Sequence, residues 1–182
     1  MTGAIKETVA AAMHLERGHR FLDEAALEDA LDAYESAIQE CPEWAEAYFS
    51  LGRVLGRLGR SEQAEAAYRR VLSLHPTHAE AANNLGVIAA KKVEHQEAEK
   101  LYRQALAENP DYFEPHLNLG LVLLQEDRVL EARYYLTRAV SLNRDSDAAA
   151  DHLGVALMRA GRVTEAIELI EQALKLNSQS RE

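Results

Sequence analysis

Residues 45–78 read AEAYFSLGRVLGRLGRSEQAEAAYRRVLSLHPTH, and this stretch decides the fold. Small and apolar residues recur three and four apart over Ala45 to Leu58 and again over Ser61 to Leu74, the spacing that lines one face of a helix. Gly59-Arg60 between the two runs leaves room only for a short turn. Pro76 ends the second run, because a proline has no N–H to donate and its ring clashes with the preceding turn. The stretch is predicted to be a helix, a short turn and a second helix.

The same pattern extends in both directions. Leu51-Gly52 recurs as Leu85-Gly86, Leu119-Gly120 and Leu153-Gly154 at one constant step, and one step earlier Gly18 survives behind Arg17. Ala30, Ala64, Ala98, Ala132 and Ala166 follow each glycine at one fixed distance. A helical turn further on come Tyr34, Tyr68, Tyr102, Leu136 and Ile170, and then Ala37, Val71, Ala105, Ala139 and Ala173. Pro42, Pro76 and Pro110 close the first three units, and the register is unbroken from Ala11 to Ser180. Small residues in the glycine and alanine columns let two antiparallel helices approach closely, and the Leu and Tyr columns fill the space between hairpins. Thr77 with Glu80, and Asp111 with Glu114, have the spacing of N-terminal capping boxes.

These columns resemble the tetratricopeptide repeat, whose pattern is W-x2-L-G-x2-Y, then A-x3-F, then P. The Trp column departs from it, holding His14, Tyr48, Ala82, His116 and Ala150. The resemblance covers nearly the whole chain. It implies an all-α, right-handed α-solenoid of five hairpins, 11–44, 45–78, 79–112, 113–146 and 147–180, with residues 1–10 extending the first helix. A stack of this kind has a concave face that serves as a binding surface.

Composition narrows the partner. Lys plus Arg total 20 against 30 Asp plus Glu, a net charge of -10, which argues against nucleic acid or an anionic membrane as the main partner. The longest apolar run, Leu121 to Leu124, is far too short to span a bilayer. The single Cys41 allows no internal disulfide and implies no redox compartment, and with the N-terminus a poor secretory signal a cytoplasmic location is expected. No P-loop, dinucleotide fingerprint or nucleophile elbow is present. His75 and His78 straddle a link between hairpins, and Cys41 sits one step away, about 10 Å at helix-packing distances, too far to share a zinc ion. Neither catalysis, nor a metal, nor a cofactor is expected.

The residues nominated for binding lie on the first helix of each hairpin, offset around the wheel from the Leu-Gly pair. They are Phe49, Arg53 and Arg57 in the second unit, and Asn83, Asn84, Val87 and Lys91 in the third. Leu117, Asn118 and Leu121 follow in the fourth, and Val155 in the fifth. Asn84 and Asn118 share a column, and a side-chain amide offers donor and acceptor to a peptide backbone without reading its sequence. Family members, including the scaffold arm of O-linked N-acetylglucosamine transferases, carry Asn ladders here. The family's clamp for acidic chaperone tails needs Lys and Asn one turn apart, then Lys and Arg one turn apart two repeats later. This chain has Leu15 with His19, Phe49 with Arg53, and Glu80 with Asn84 or Glu114 with Asn118, so that clamp is absent.

The expected function is a protein-interaction scaffold or adaptor holding an extended or helical peptide segment in its concave groove. The alternative is an accessory or targeting subunit of an enzyme or secretion complex, including a chaperone for an exported protein. Ile167, Leu169, Ile170, Leu174 and Leu176 are more apolar residues than one neighbouring helix can cover. A homo-oligomer through the C-terminal repeat is therefore expected.

Overall fold

The structure, a computed structural model, describes residues 2–166. Among these residues there are nine helices: α1 (Thr2–Asp23), α2 (Leu27–Glu40), α3 (Ala45–Arg57), α4 (Ser61–Leu74), α5 (Ala79–Lys91), α6 (His95–Glu108), α7 (Phe113–Gln125), α8 (Val129–Leu142) and α9 (Asp147–Arg159). The helix–turn–helix reading of 45–78 holds to within a residue, and α1 begins at Thr2. The apolar residues 167–176 lie outside the described residues. No described helix is long and apolar enough to cross a membrane.

The chain divides into two compact units, 1–88 and 89–182. In the first, α1 packs on α2, α2 on α3 and α3 on α4. In the second, α6 packs on α7, α7 on α8 and α8 on α9, with α7 also touching α9. Ala30, Ala64, Ala98 and Ala132 are all completely buried, where a larger side chain would hold the two helices of a hairpin apart.

The glycine and tyrosine columns meet within each hairpin. A methyl group added at Gly18 would stand 2.5 Å from the Tyr34 ring, and one at Gly52 would stand 2.7 Å from the Tyr68 ring. Gly120 and Leu136 repeat the arrangement. The ring of the second helix thus lies directly on the backbone of the first. This contact is the reason the pair Leu-Gly, rather than Leu with any small residue, recurs.

Each hairpin reverses through one residue of left-handed backbone. Ala25, Gly59, Val93, Asp127 and Gly161, spaced at the repeat period, all have φ between 58° and 75°. The following N–H closes back on the carbonyl five positions earlier, as in Arg60 N–H to Leu55 O at 2.9 Å and Arg128 N–H to Leu123 O at 2.9 Å. This is the six-to-one bond of a Schellman ending. Only two of the five positions are glycine.

The two expected capping boxes do not form. α5 begins at Ala79, one residue beyond the place that Thr77 could cap, and His78 Nδ1 accepts from Ala81 N–H at 3.2 Å instead. α7 opens after Tyr112 with no side-chain cap. Asp111 turns to Arg138 of α8, and the Pro115 ring, in the first turn, needs no acceptor. A side-chain cap does occur at α9, where Ser146 Oγ accepts from Ala149 N–H at 3.3 Å.

Candidate functional site

The residues nominated from helical spacing separate into three groups once packing is known. Arg53, Arg57 and Lys91 are exposed. Phe49, Asn84, Val87, Leu117, Asn118, Leu121 and Val155 are half-buried. Asn83 is only 5 % exposed, which corrects its assignment to the open face. Its column also holds Leu15, 8 % exposed, and the half-buried Phe49 and Leu117, so it runs along the border of the core.

In the first unit these residues surround the buried tyrosines. The Phe49 ring lies 6.0 Å from Tyr68 and 4.7 Å from His78, so it ties α3 to α4 and to the start of α5. The Asn84 amide is hydrogen-bonded to the Tyr68 hydroxyl and lies 3.5 Å from the Asn83 amide nitrogen. Burial pushes the Tyr68 phenol up to about 12, against the opposing pull of the Asn84 bond and the nearby Arg53 charge. One period earlier Ser50 takes the place of Asn84 and faces Tyr34, while His19 Nε2 lies 3.4 Å from Ser50 Oγ. Burial raises the Tyr34 phenol as well. At Asn84 the column read as a peptide ladder therefore also meets the tyrosine of the preceding hairpin, whereas the buried Tyr34 hydroxyl has no hydrogen-bond partner among the described residues. The signal was present in sequence, since Tyr68 precedes Asn84 by the same interval that separates Tyr34 from Ser50.

In the second unit the open side of α7 carries two leucines among Glu114, Asn118 and Gln125. Leu119, Val122, Leu123 and Leu124 are buried, whereas Leu117 and Leu121, one turn apart, stay half-open beside Asn118. Val155 of α9 is half-open too, and Arg159 at the end of that helix donates to Leu124 O at 2.9 Å, tying α9 to the end of α7. Sequence reasoning passed over His116. It is 6 % exposed, and its Nε2 donates to Pro110 O at 2.8 Å. Burial, opposed by that bond, pushes its pKa down and favours the neutral ring.

Nothing on these faces assembles acid, base and nucleophile. Among the described residues no three His, Cys, Asp or Glu side chains are grouped to hold a metal ion. What the faces offer is half-open apolar surface, amides and isolated cations, which suits recognition of a polypeptide.

The family model for the tetratricopeptide repeat matches residues 49–113, 94–151 and 117–181. Several solved structures are similar. A MamA protein is 22% identical over 94% of each chain, with a TM-score of 0.83. MamA from Desulfovibrio magneticus RS-1 is 21% identical over 93% of this chain and 96% of that one, with a TM-score of 0.84. YrrB, described as a TPR protein with an unusual peptide-binding site, is 20% identical over 96% of this chain and 90% of its own, with a TM-score of 0.77. At these identities the likeness is one of fold. No curated protein matches the chain.

Proposed function

The chain belongs to the tetratricopeptide repeat family, and from that premise we propose that it is a protein-interaction scaffold that holds a peptide segment against the half-open side of its first helices. The observation that carries this reading is the pair Leu117 and Leu121. They stay half-exposed beside Asn118 on a helix whose other leucines are buried. An apolar stripe of this kind beside an amide offers anchoring to spaced hydrophobic side chains and hydrogen bonds to a peptide backbone. In the first unit Asn84 offers an amide and the half-buried Phe49, two repeats before Leu117, offers apolar surface. Binding of a peptide by YrrB, a protein of the same fold, is consistent with it.

The test is selection from a phage-displayed random peptide library, followed by affinity measurements on variants. The selected peptides should carry hydrophobic residues at regular spacing. Leu117→Asp with Leu121→Asp should abolish their binding. Asn84→Ala with Asn118→Ala should weaken it roughly ten- to a hundredfold, as expected for two lost hydrogen bonds. Because Asn84 also bonds Tyr68, the control is Tyr68→Phe, which removes the hydroxyl and leaves the amide. That variant should keep its affinity for peptide. Peptides that bind all these variants as tightly as the parent would place the binding surface elsewhere.

A further inference from the structure

The second helices repeat with the same period as the first, which exposes a departure in α8. Glu28, Glu62, Gln96 and Leu130 occupy one column, and Asp32, Ala66, Lys100 and Tyr134 the next, one turn along. In α2, α4 and α6 these positions hold polar or small residues, as water demands. In α8 they hold Leu130, 68 % exposed, and Tyr134, 67 % exposed. Tyr134 meets Tyr135 edge to face at 5.0 Å between ring centroids, but Leu130 and Tyr134, a large apolar pair, both remain largely exposed at positions that the other repeats keep polar or small.

The surroundings of Tyr134 are shaped. It lines a cleft of about 690 Å³ together with Leu130, Arg133, Leu153 and Leu157, bordered beyond α9 by the paired Arg162 and Glu165. It also lines a second cleft of about 670 Å³ between α6 and α8, beside Leu106, Tyr135 and Arg103. The ring therefore forms a ridge with a hollow on either side. The local charge opposes that of the chain. Residues 128–144 carry Arg128, Arg133, Arg138 and Arg144 against one carboxylate, Glu131, in a protein of net charge -10. Arg128 is held by Glu99, Glu126 and Glu131. Arg138 meets Asp111 in an exposed pair, which holds it weakly. Arg133 and Arg144 form no ion pair among the described residues.

We infer that this side of α8 docks an acidic amphipathic segment of a partner protein. Its apolar side chains enter the two clefts astride Tyr134, and its carboxylates meet Arg133 and Arg138. Tyr and Arg around a hollow are the side chains that carry most of the energy of protein interfaces, because both bury large area and keep a polar group at hand. A second copy of the chain fits less well. Its acidic helix α2 exposes Glu28, Asp29 and Asp32, but Leu31 and Tyr34 of that helix are buried in their own unit. It would bring charge without anchors. This inference does not depend on the first-helix reading.

The probe is a fluorescein-labelled synthetic peptide with Leu and Trp on one helical face and Glu on the other, alongside a twin with Lys in place of Glu. The overall charge of the protein favours the Lys twin, so a preference for the Glu peptide reports the local surface alone. The Glu peptide should bind about tenfold tighter than its twin. Tyr134→Ala should weaken it about thirtyfold, a hot-spot loss, and Arg133→Glu about tenfold. Both variants should melt with the parent, since neither side chain is part of the core. Leu117→Asp with Leu121→Asp should leave the Glu peptide's affinity intact. Equal binding of the two peptides, or undiminished binding by Tyr134→Ala, would overturn the inference. So would a dimer in sedimentation that Tyr134→Ala dissolves, because the occupant would then be a second copy.

Discussion

At Gly52 a hydrogen atom stands where any other residue would place a carbon 2.7 Å from the Tyr68 ring. That ring cannot retreat freely, since it is buried and its hydroxyl is held by Asn84. Gly52→Ala should therefore cost about 2 kcal/mol, an overpacking penalty, read as a lower unfolding midpoint. Val93 presents the opposite case. It is 69 % exposed and sits at φ 62°, where a β-branched side chain is strained. Val93→Gly relieves about 1–2 kcal/mol of strain and gives back part of it through the freer unfolded chain. The net result should be a small gain in stability, visible as a higher midpoint in urea. Tyr68 also supplies a pH signature. Its folded pKa is raised to about 12 from 10, so its stabilising contribution is complete below pH 10 and is lost as pH rises toward 12. The melting temperature should fall across that window, and Tyr68→Phe should flatten the fall.

Between helices, the strongest electrostatic tie of the second unit runs through Arg128. It bonds Glu99 of α6 at 2.5 Å, Glu126 just after α7 at 3.1 Å and Glu131 of α8 at 2.8 Å. Arg103 of α6 crosses to the Tyr135 hydroxyl at 2.7 Å. Three helices are thus drawn to one guanidinium. The bonds from Arg128 and Arg103 hold the Glu99 carboxyl below the usual carboxylate range, against the pull of burial. Its contribution is therefore present above that range and lost as pH falls through the depressed value. Glu99→Gln should lower the melting temperature at pH 7 and make the acid limb of the stability profile shallower. Arg128→Ala should lower the melting temperature further, because it leaves three carboxylates facing one another without their common partner. High salt should shrink the difference between Arg128→Ala and the parent.

Over the whole molecule, stability is a sum of hairpin terms and neighbour terms rather than the property of one core. The single tryptophan, Trp44, lies just before α3 in the first unit, so its fluorescence reports that unit, whereas far-ultraviolet dichroism reports every helix. In the Gly52→Ala variant the fluorescence transition should move to lower urea ahead of the dichroism transition. Coincident transitions in that variant would mean that the units unfold as one.

Sequence alone determined the helices, the hairpin period and the family, because a constant step in unbroken register places the small columns and the proline stops without reference to any distant contact. It also determined that Leu117, Leu121 and Val155 are placed to stay partly open, since helical spacing sorts side chains by direction. Tertiary packing decided the rest. The Tyr68 hydroxyl claims part of the Asn84 amide, and Asn83 is buried at the border of the core. Thr77 and Asp111 lost their caps because the next helix begins one residue later than their spacing assumes, and His78 accepts instead at α5. Exposure at α8 was equally invisible, since Leu130 and Tyr134 read in sequence as ordinary apolar residues of a helix. Which direction they face depends on the neighbouring hairpins that bury the opposite side of that helix, and contacts of that kind are set by the stack and not by the local pattern.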